Sequence, residues 1–155
     1  MEANDEHAVR TVPEYLRLAA QDEMKLRTTF VAEGVWLELL RQEYSKEAIL
    51  LHKKLPIRVL DLLSSDADEM IRAAVAEKRA AAPLLATLAN DGSSVVRARV
   101  ARNAKARREV LEQLVADPEP HVANAARERL GLELIPEPAF SGVVIERQSD
   151  EGEDG

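Results

Sequence analysis

Nine cations between residues 72 and 108 are the side chains best suited to recognition chemistry: Arg72, Lys78, Arg79, Arg97, Arg99, Arg102, Lys105, Arg107 and Arg108. A guanidinium offers a planar fork that grips carboxylates or phosphates, and an ammonium offers a compact point charge. Arg72 and Arg97 hold equivalent places in a recurring pattern, so stacking of its copies sets them in a column. Lys78 and Arg79 fall near one turn. Arg102, Lys105, Arg107 and Arg108 fall near the equivalent turn of the next copy, with Arg99 beside them. Such a row suits phosphates or an acidic protein face. Its competitor is a solvated surface on which the arginines cover Ala-rich grooves and pair with Asp66, Asp91 and Glu109.

Other chemistries find little to use. The chain has no cysteine, which excludes disulfides, thiol nucleophiles, thiolate-held iron–sulfur clusters and Cys-based zinc sites. His7, His52 and His121 share no ligand spacing, so neither a metal nor any other cofactor is expected. Asp22/Glu23 and Asp68/Glu69 adjoin helix starts, where capping and the macrodipole account for acids. Ser64-Ser65 and Ser93-Ser94 have no histidine neighbour in the repeat frame and read as helix-start and turn residues. The six glycines are scattered and form no phosphate loop. Catalysis is therefore not expected.

Charge is sectored. Residues 1–51, 52–108 and 109–155 carry −4, +6 and −9, so a basic middle lies between acidic ends. The polar start has no signal-peptide core, and the apolar run at 80–89 is too short to span a bilayer. A cytoplasmic location and no membrane partner are expected.

The elements that position the cations emerge from a repeat. Two adjacent apolar residues, a third three positions on and then an acid recur at Tyr15-Leu16…Ala19…Asp22 and Trp36-Leu37…Leu40…Glu43. They return at Val59-Leu60…Leu63…Asp66, Leu84-Leu85…Leu88…Asp91 and Val110-Leu111…Leu114…Asp117. The acids stand 21, 23, 25 and 26 residues apart. A second pattern follows most of them, with Ile71/Val75 and Val96/Val100 at the i, i+4 spacing of one helix face. Each unit thus reads as two short helices, with the acid capping the helix that follows. Pro13, Pro56 and Pro83 stand at or just before second helices. Gly34, Gly92 and Asn103 mark breaks, with left-handed backbone expected at Gly34 and Asn103. The register of residues 44–54 stays open. Trp36, with Leu37, Leu39 and Leu40, reads first as core and second as an exposed anchor for a partner.

A two-helix unit of this length cannot bury its apolar face alone, so units must stack. The expected fold is all-α: an α-solenoid of about five stacked two-helix repeats of 21–26 residues each. Residues 1–10 are expected to be a flexible start and 11–131 the repeat domain. Residues 132–155 are expected to be an extended, acidic, largely disordered tail, with a short extended segment at Val143-Val144-Ile145.

The string Val96-Arg97-Ala98-Arg99-Val100-Ala101-Arg102-Asn103, followed by Glu109-Val110-Leu111…Leu114…Asp117, resembles the leucine-rich repeat variant family, within the wider HEAT-like α-solenoids. The resemblance runs best over residues 57–117, less well over 11–42, and ends after Leu132. It implies units that pair an α-helix with a shorter, often 3₁₀, helix. The usual Asn-Pro after the first helix is Asn103-Ala104 here, and Lys78-Arg79 one unit earlier. The iron–sulfur cluster of one family member rests on added cysteines, which this chain lacks.

A repeat fold with sectored charge and no catalytic constellation leads to a non-catalytic adaptor or inhibitor that binds another protein, an immunity-type protein being a narrower form. The alternative is a nucleic-acid-binding HEAT-like module using the basic residues of 72–108, since the resemblance extends to DNA-repair glycosylases. The few aromatics and the pI near 5.1 weigh against it. The oligomeric state is not encoded in these patterns.

Overall fold

Short apolar stripes of Ala, Leu and Val, punctuated every ten residues or so, yield short helices that are stable only against one another. In the computed structural model, which describes residues 8–136, these are α1 (Val12–Gln21), α2 (Glu23–Leu26), α3 (Glu33–Arg41), α4 (Lys46–Leu50) and α5 (Ile57–Ser64). They continue as α6 (Glu69–Glu77), a 3₁₀ segment (Arg79–Leu84), α7 (Leu85–Leu88), α8 (Ser94–Arg102), α9 (Arg108–Leu114) and α10 (Pro120–Leu130). The protein is all-helical among the described residues, apart from one isolated parallel bridge between Val9 and Val31. No described helix is long and apolar enough to cross a membrane.

Even-numbered helices pack on one another, α4 on α6, α6 on α8 and α8 on α10. On the other side α1 packs on α3, α3 on α5, and α5 on the 3₁₀ segment. Val75, Val96, Val100 and Val122 from the even helices meet Val59, Leu60, Leu85 and Leu114 from the odd ones in the core. Burying each such side chain stabilises the fold by about 1.5–3 kcal/mol. Ala73, Ala76, Ala98 and Ala101 are buried too. Their small side chains let the even helices approach closely. At the amino-terminal end Trp36 is fully buried and meets Tyr15 edge-on at 5.3 Å. It is a core residue, so the exposed-anchor reading is overturned.

Several local expectations need correction. Asp22 does cap α2, accepting from the Lys25 N–H at 2.9 Å. Asp66, Asp91 and Asp117 do not cap. Each accepts from the N–H two residues on, at Asp68, Ser93 and Glu119, and so closes the turn before the helix. Asp68 itself caps α6, and Ser45 caps α4. Glu43 ends α3 in left-handed backbone at φ 56°. Gly34 lies inside the first turn of α3 and breaks nothing. Asn103 ends α8 in extended backbone, because its side chain is engaged elsewhere. Pro83 sits within the 3₁₀ segment, where the absent N–H is tolerated.

The described residues at the two margins of the helical region make specific bonds. The Val9 N–H donates to the Phe30 carbonyl, the Ala32 N–H donates to the Val9 carbonyl, and the Val9 side chain is buried. After α10, the Asn124 amide grips both the N–H and the carbonyl of Ile135, at 2.8 and 2.9 Å. The expectations for residues 1–7 and for the tail beyond Pro136, including Val143-Val144-Ile145, lie outside the described residues.

Candidate functional site

The turns between helices fall on two edges of the packed helices, and the edges treat charge differently. On the first edge lie the turns that carry Asp66, Asp91 and Asp117. The Arg72 guanidinium, on α6, forms a forked pair with the Asp91 carboxylate at 2.7 and 2.9 Å. Its remaining nitrogen donates to the Asp66 and Ala67 carbonyls. Arg97, on α8, repeats this pattern: a forked pair to Asp117 at 2.7 and 3.0 Å, and donation to the Asp91 and Gly92 carbonyls. Lys46 at the start of α4 pairs with Asp66 in the same sense. Arg72 and Arg97 thus each hold their own turn and the acid of the next, and Lys46 holds the acid alone.

Burial strengthens these pairs. The side chains of Arg97 and Asp117 are 14 % and 5 % exposed. The hydrogen bond from Arg72 holds Asp91 below the ordinary carboxylate range against the opposing effect of burial. At Asp117 burial pushes upward most strongly, yet Arg97 and the Glu119 N–H together bring the group below its usual range. The series ends where the sequence ends it: six residues after Asp117 stands Ala123 instead of arginine.

The second edge carries the turns that follow α4, α6 and α8. Hydrogen bonds stitch these turns into a line. The Lys78 ammonium donates to the His52 carbonyl at 3.2 Å. The buried Asn103 amide donates to the Ala76 and Lys78 carbonyls at 2.6 and 3.1 Å, while its oxygen accepts from the Lys105 N–H. Arg129, at the end of α10, donates to the Asn103 carbonyl at 2.7 Å. Residues 51–56, 78–84 and 102–108, which form these turns and their margins, contain no carboxylate. They do contain Lys53, Lys54, Lys78, Arg79, Arg102, Lys105, Arg107 and Arg108.

The nine cations singled out by the sequence therefore divide. Arg72 and Arg97 do align, but as internal struts with little exposed charge. Arg72 pairs with Asp91, one of the acids expected from sequence, and Arg97 with Asp117, which was not among them. Arg99 pairs with Glu77 on the neighbouring helix, and Arg108 with Glu112 one turn along α9. Lys78 is half-buried, and burial lowers its pKa. Arg79, Arg102, Lys105 and Arg107 are exposed and have no ion-pair or side-chain hydrogen-bond partner among the described residues. Lys53 and Lys54 join them and were not anticipated. The signal was present, since Lys53-Lys54 follow α4 as Lys78-Arg79 follow α6, but the ambiguous register of residues 44–54 hid it.

Beside this edge runs an apolar groove of about 400 Å³ between α4 and α6, lined by Leu50, Leu51, Met70, Ala74 and Lys78 among others. Leu51 and Met70 are about half exposed there. No group of three or more potential metal ligands occurs among the described residues. No protein-family model matches this chain, and no curated protein or solved structure matches it.

Proposed function

We propose that the chain is an α-solenoid of about five two-helix repeats, of the HEAT-like, leucine-rich-repeat-variant kind, and serves as a non-catalytic binding module in the cytoplasm. Its partner is another protein, which presents an acidic surface to the cationic turn edge and apolar side chains to the groove beside it. The observation that carries this reading is the run of three carboxylate-free turns whose exposed Lys53, Lys54, Arg79, Arg102, Lys105 and Arg107 have no ion-pair partner among the described residues. A one-signed edge on an otherwise acidic chain steers an acidic partner and disfavours basic ones. The adjoining groove with Leu51 and Met70 offers what an acidic surface alone would not need. An inhibitor or immunity-type protein that blocks a cognate acidic surface is the narrower form.

Capture on the tagged full chain from its source lysate, with and without nuclease, tests this reading. One stoichiometric protein that survives nuclease, and that is lost when Arg79, Arg102 and Arg107 are changed to Glu, is the expected result. The same carboxylate-free edge also favours a second reading, binding of a phosphate backbone. That reading expects nucleic acid alone on the resin, released steeply between about 50 and 200 mM salt.

A further inference from the structure

The acidity of the chain lies outside its helices. Residues 8–136 carry a net charge of +1, whereas residues 1–7 carry −3 and residues 137–155 carry −5. Asp150, Glu151, Glu153 and Asp154 put four acids into five residues, a density matched nowhere else in the sequence. Within the helical region Asp66, Asp91 and Asp117 are already paired on the first edge. What lacks a counter-charge is the second edge. Arg79, Arg102, Lys105 and Arg107 stand exposed there with no ion-pair partner among the described residues. Covalent linkage makes the meeting of such a run and such an edge intramolecular, at an effective concentration on the order of millimolar.

The geometry permits the contact. α10 packs on α8, and Arg129 at its end donates to the Asn103 carbonyl, so α10 reaches the cationic edge. The chain then returns along α10, where Arg127 and Asn124 hold the backbone of Glu133 and Ile135. From Pro136 to Asp150 are fourteen residues, which span at most about 50 Å. Helices packed about 8–10 Å apart place α8 one step away and α6 two, roughly 20 Å. The turns after α8 and α6, which bear these four cations, are therefore within reach. Exposed ion pairs are individually weak and screened by salt, so the contact is reversible.

We propose that residues 146–154 lie on the cationic edge of the same molecule, over Arg79, Arg102, Lys105 and Arg107, and shield it until an acidic partner displaces them. This rests on the reading of that edge as the docking surface and adds its regulation. Because the chain has no cysteine, Gly152→Cys carries a single nitroxide on the full chain. At about 50 mM salt the amide resonances of the four cations are expected to broaden more than those of Arg72 and Arg97, an effect that fades at about 500 mM. Changing Asp150, Glu151, Glu153 and Asp154 to their amides should abolish it. Poly-glutamate, as an acidic probe, should bind that amide variant about tenfold more tightly than the unchanged chain, the factor for an edge covered about nine-tenths of the time. Neutralising Glu2, Asp5 and Glu6 instead controls for net charge and should leave that affinity nearly unchanged. The proposal is overturned by absent broadening, by equal broadening of both edges, or by poly-glutamate binding that ignores the four acids. Broadening that needs label and observed nuclei on different copies overturns it too, by assigning the contact to a second chain. Partner capture is read separately: tail contact without capture refutes only the partner, and capture without tail contact refutes only the tail.

Discussion

Arg97, on α8, and Arg107, just before α9, stand ten residues apart yet meet opposite circumstances. Arg97 lies on the edge where every turn brings an aspartate, and its guanidinium makes four hydrogen bonds, a forked pair to Asp117 and two to the Asp91 and Gly92 carbonyls. Arg107 lies on the edge whose turns hold no carboxylate, and its charge faces solvent. The two edges thus divide paired charge from unpaired charge. One uses charge to tie neighbouring turns together, and on the proposed function the other keeps its charge for a partner. Arginine content alone does not tell them apart. What matters is whether an acid recurs at the same end of the helices.

That contrast can be broken most forcefully at the paired edge. Arg97→Met strands Asp117, which is 5 % exposed, and should lower unfolding free energy by about 3 kcal/mol in urea titration. Adding Asp117→Leu should restore much of the loss, because the stranded carboxylate disappears. No recovery would mean that Arg97 acts through the Asp91 and Gly92 carbonyls instead. On the other edge the largest structural effect belongs to Asn103→Ala, which leaves the Ala76 and Lys78 carbonyls unbonded and should cost about 2 kcal/mol.

Acid pH separates the regions further. Burial lowers the His52 pKa, the Leu26 backbone opposes this, and Lys78 adds to it. Below the unfolded value near 6.5 the unfolded chain takes up a proton that the folded one resists. Stability therefore falls from pH 6.5 downward until the folded value is reached, by at most about 1.4 kcal/mol per pH unit. His52→Phe should flatten this window in denaturation curves at successive pH values. The Asp91 and Asp117 pairs act lower: their stabilisation is full above the unfolded carboxylate value of 3.8 and is lost as pH falls further toward the folded values. The smallest effect on stability is expected at the exposed cations. Arg102→Ala with Arg107→Ala should change unfolding free energy by no more than about 0.5 kcal/mol while weakening partner capture, and a larger destabilisation would reassign them to the fold.

Much of the helical pattern was legible because burial writes itself as periodicity. Val96 and Val100, or Leu111 and Leu114, announce a helix face without any knowledge of what it meets. The acid spacing was legible too, but its meaning was not. An aspartate before a helix reads as a cap, and although Asp91 was also expected to pair with an arginine, only the packed neighbour shows that Asp91 and Asp117 answer the arginines 19 and 20 residues earlier. Gly34 misled because a glycine within a helix's first turn carries no mark distinguishing it from one beyond the last. Lys53-Lys54 escaped because α4 is only five residues long and leaves a weak periodic trace.

The sequence by itself determined the all-helical character, the sectored charge and the alignment of Arg72 with Arg97, since each follows from residue type and spacing along one chain. The tertiary structure decided which cations remain available, and it stitched their turns into one line. Those outcomes depend on distances between residues far apart in sequence. Only the packing of helix on helix sets such distances.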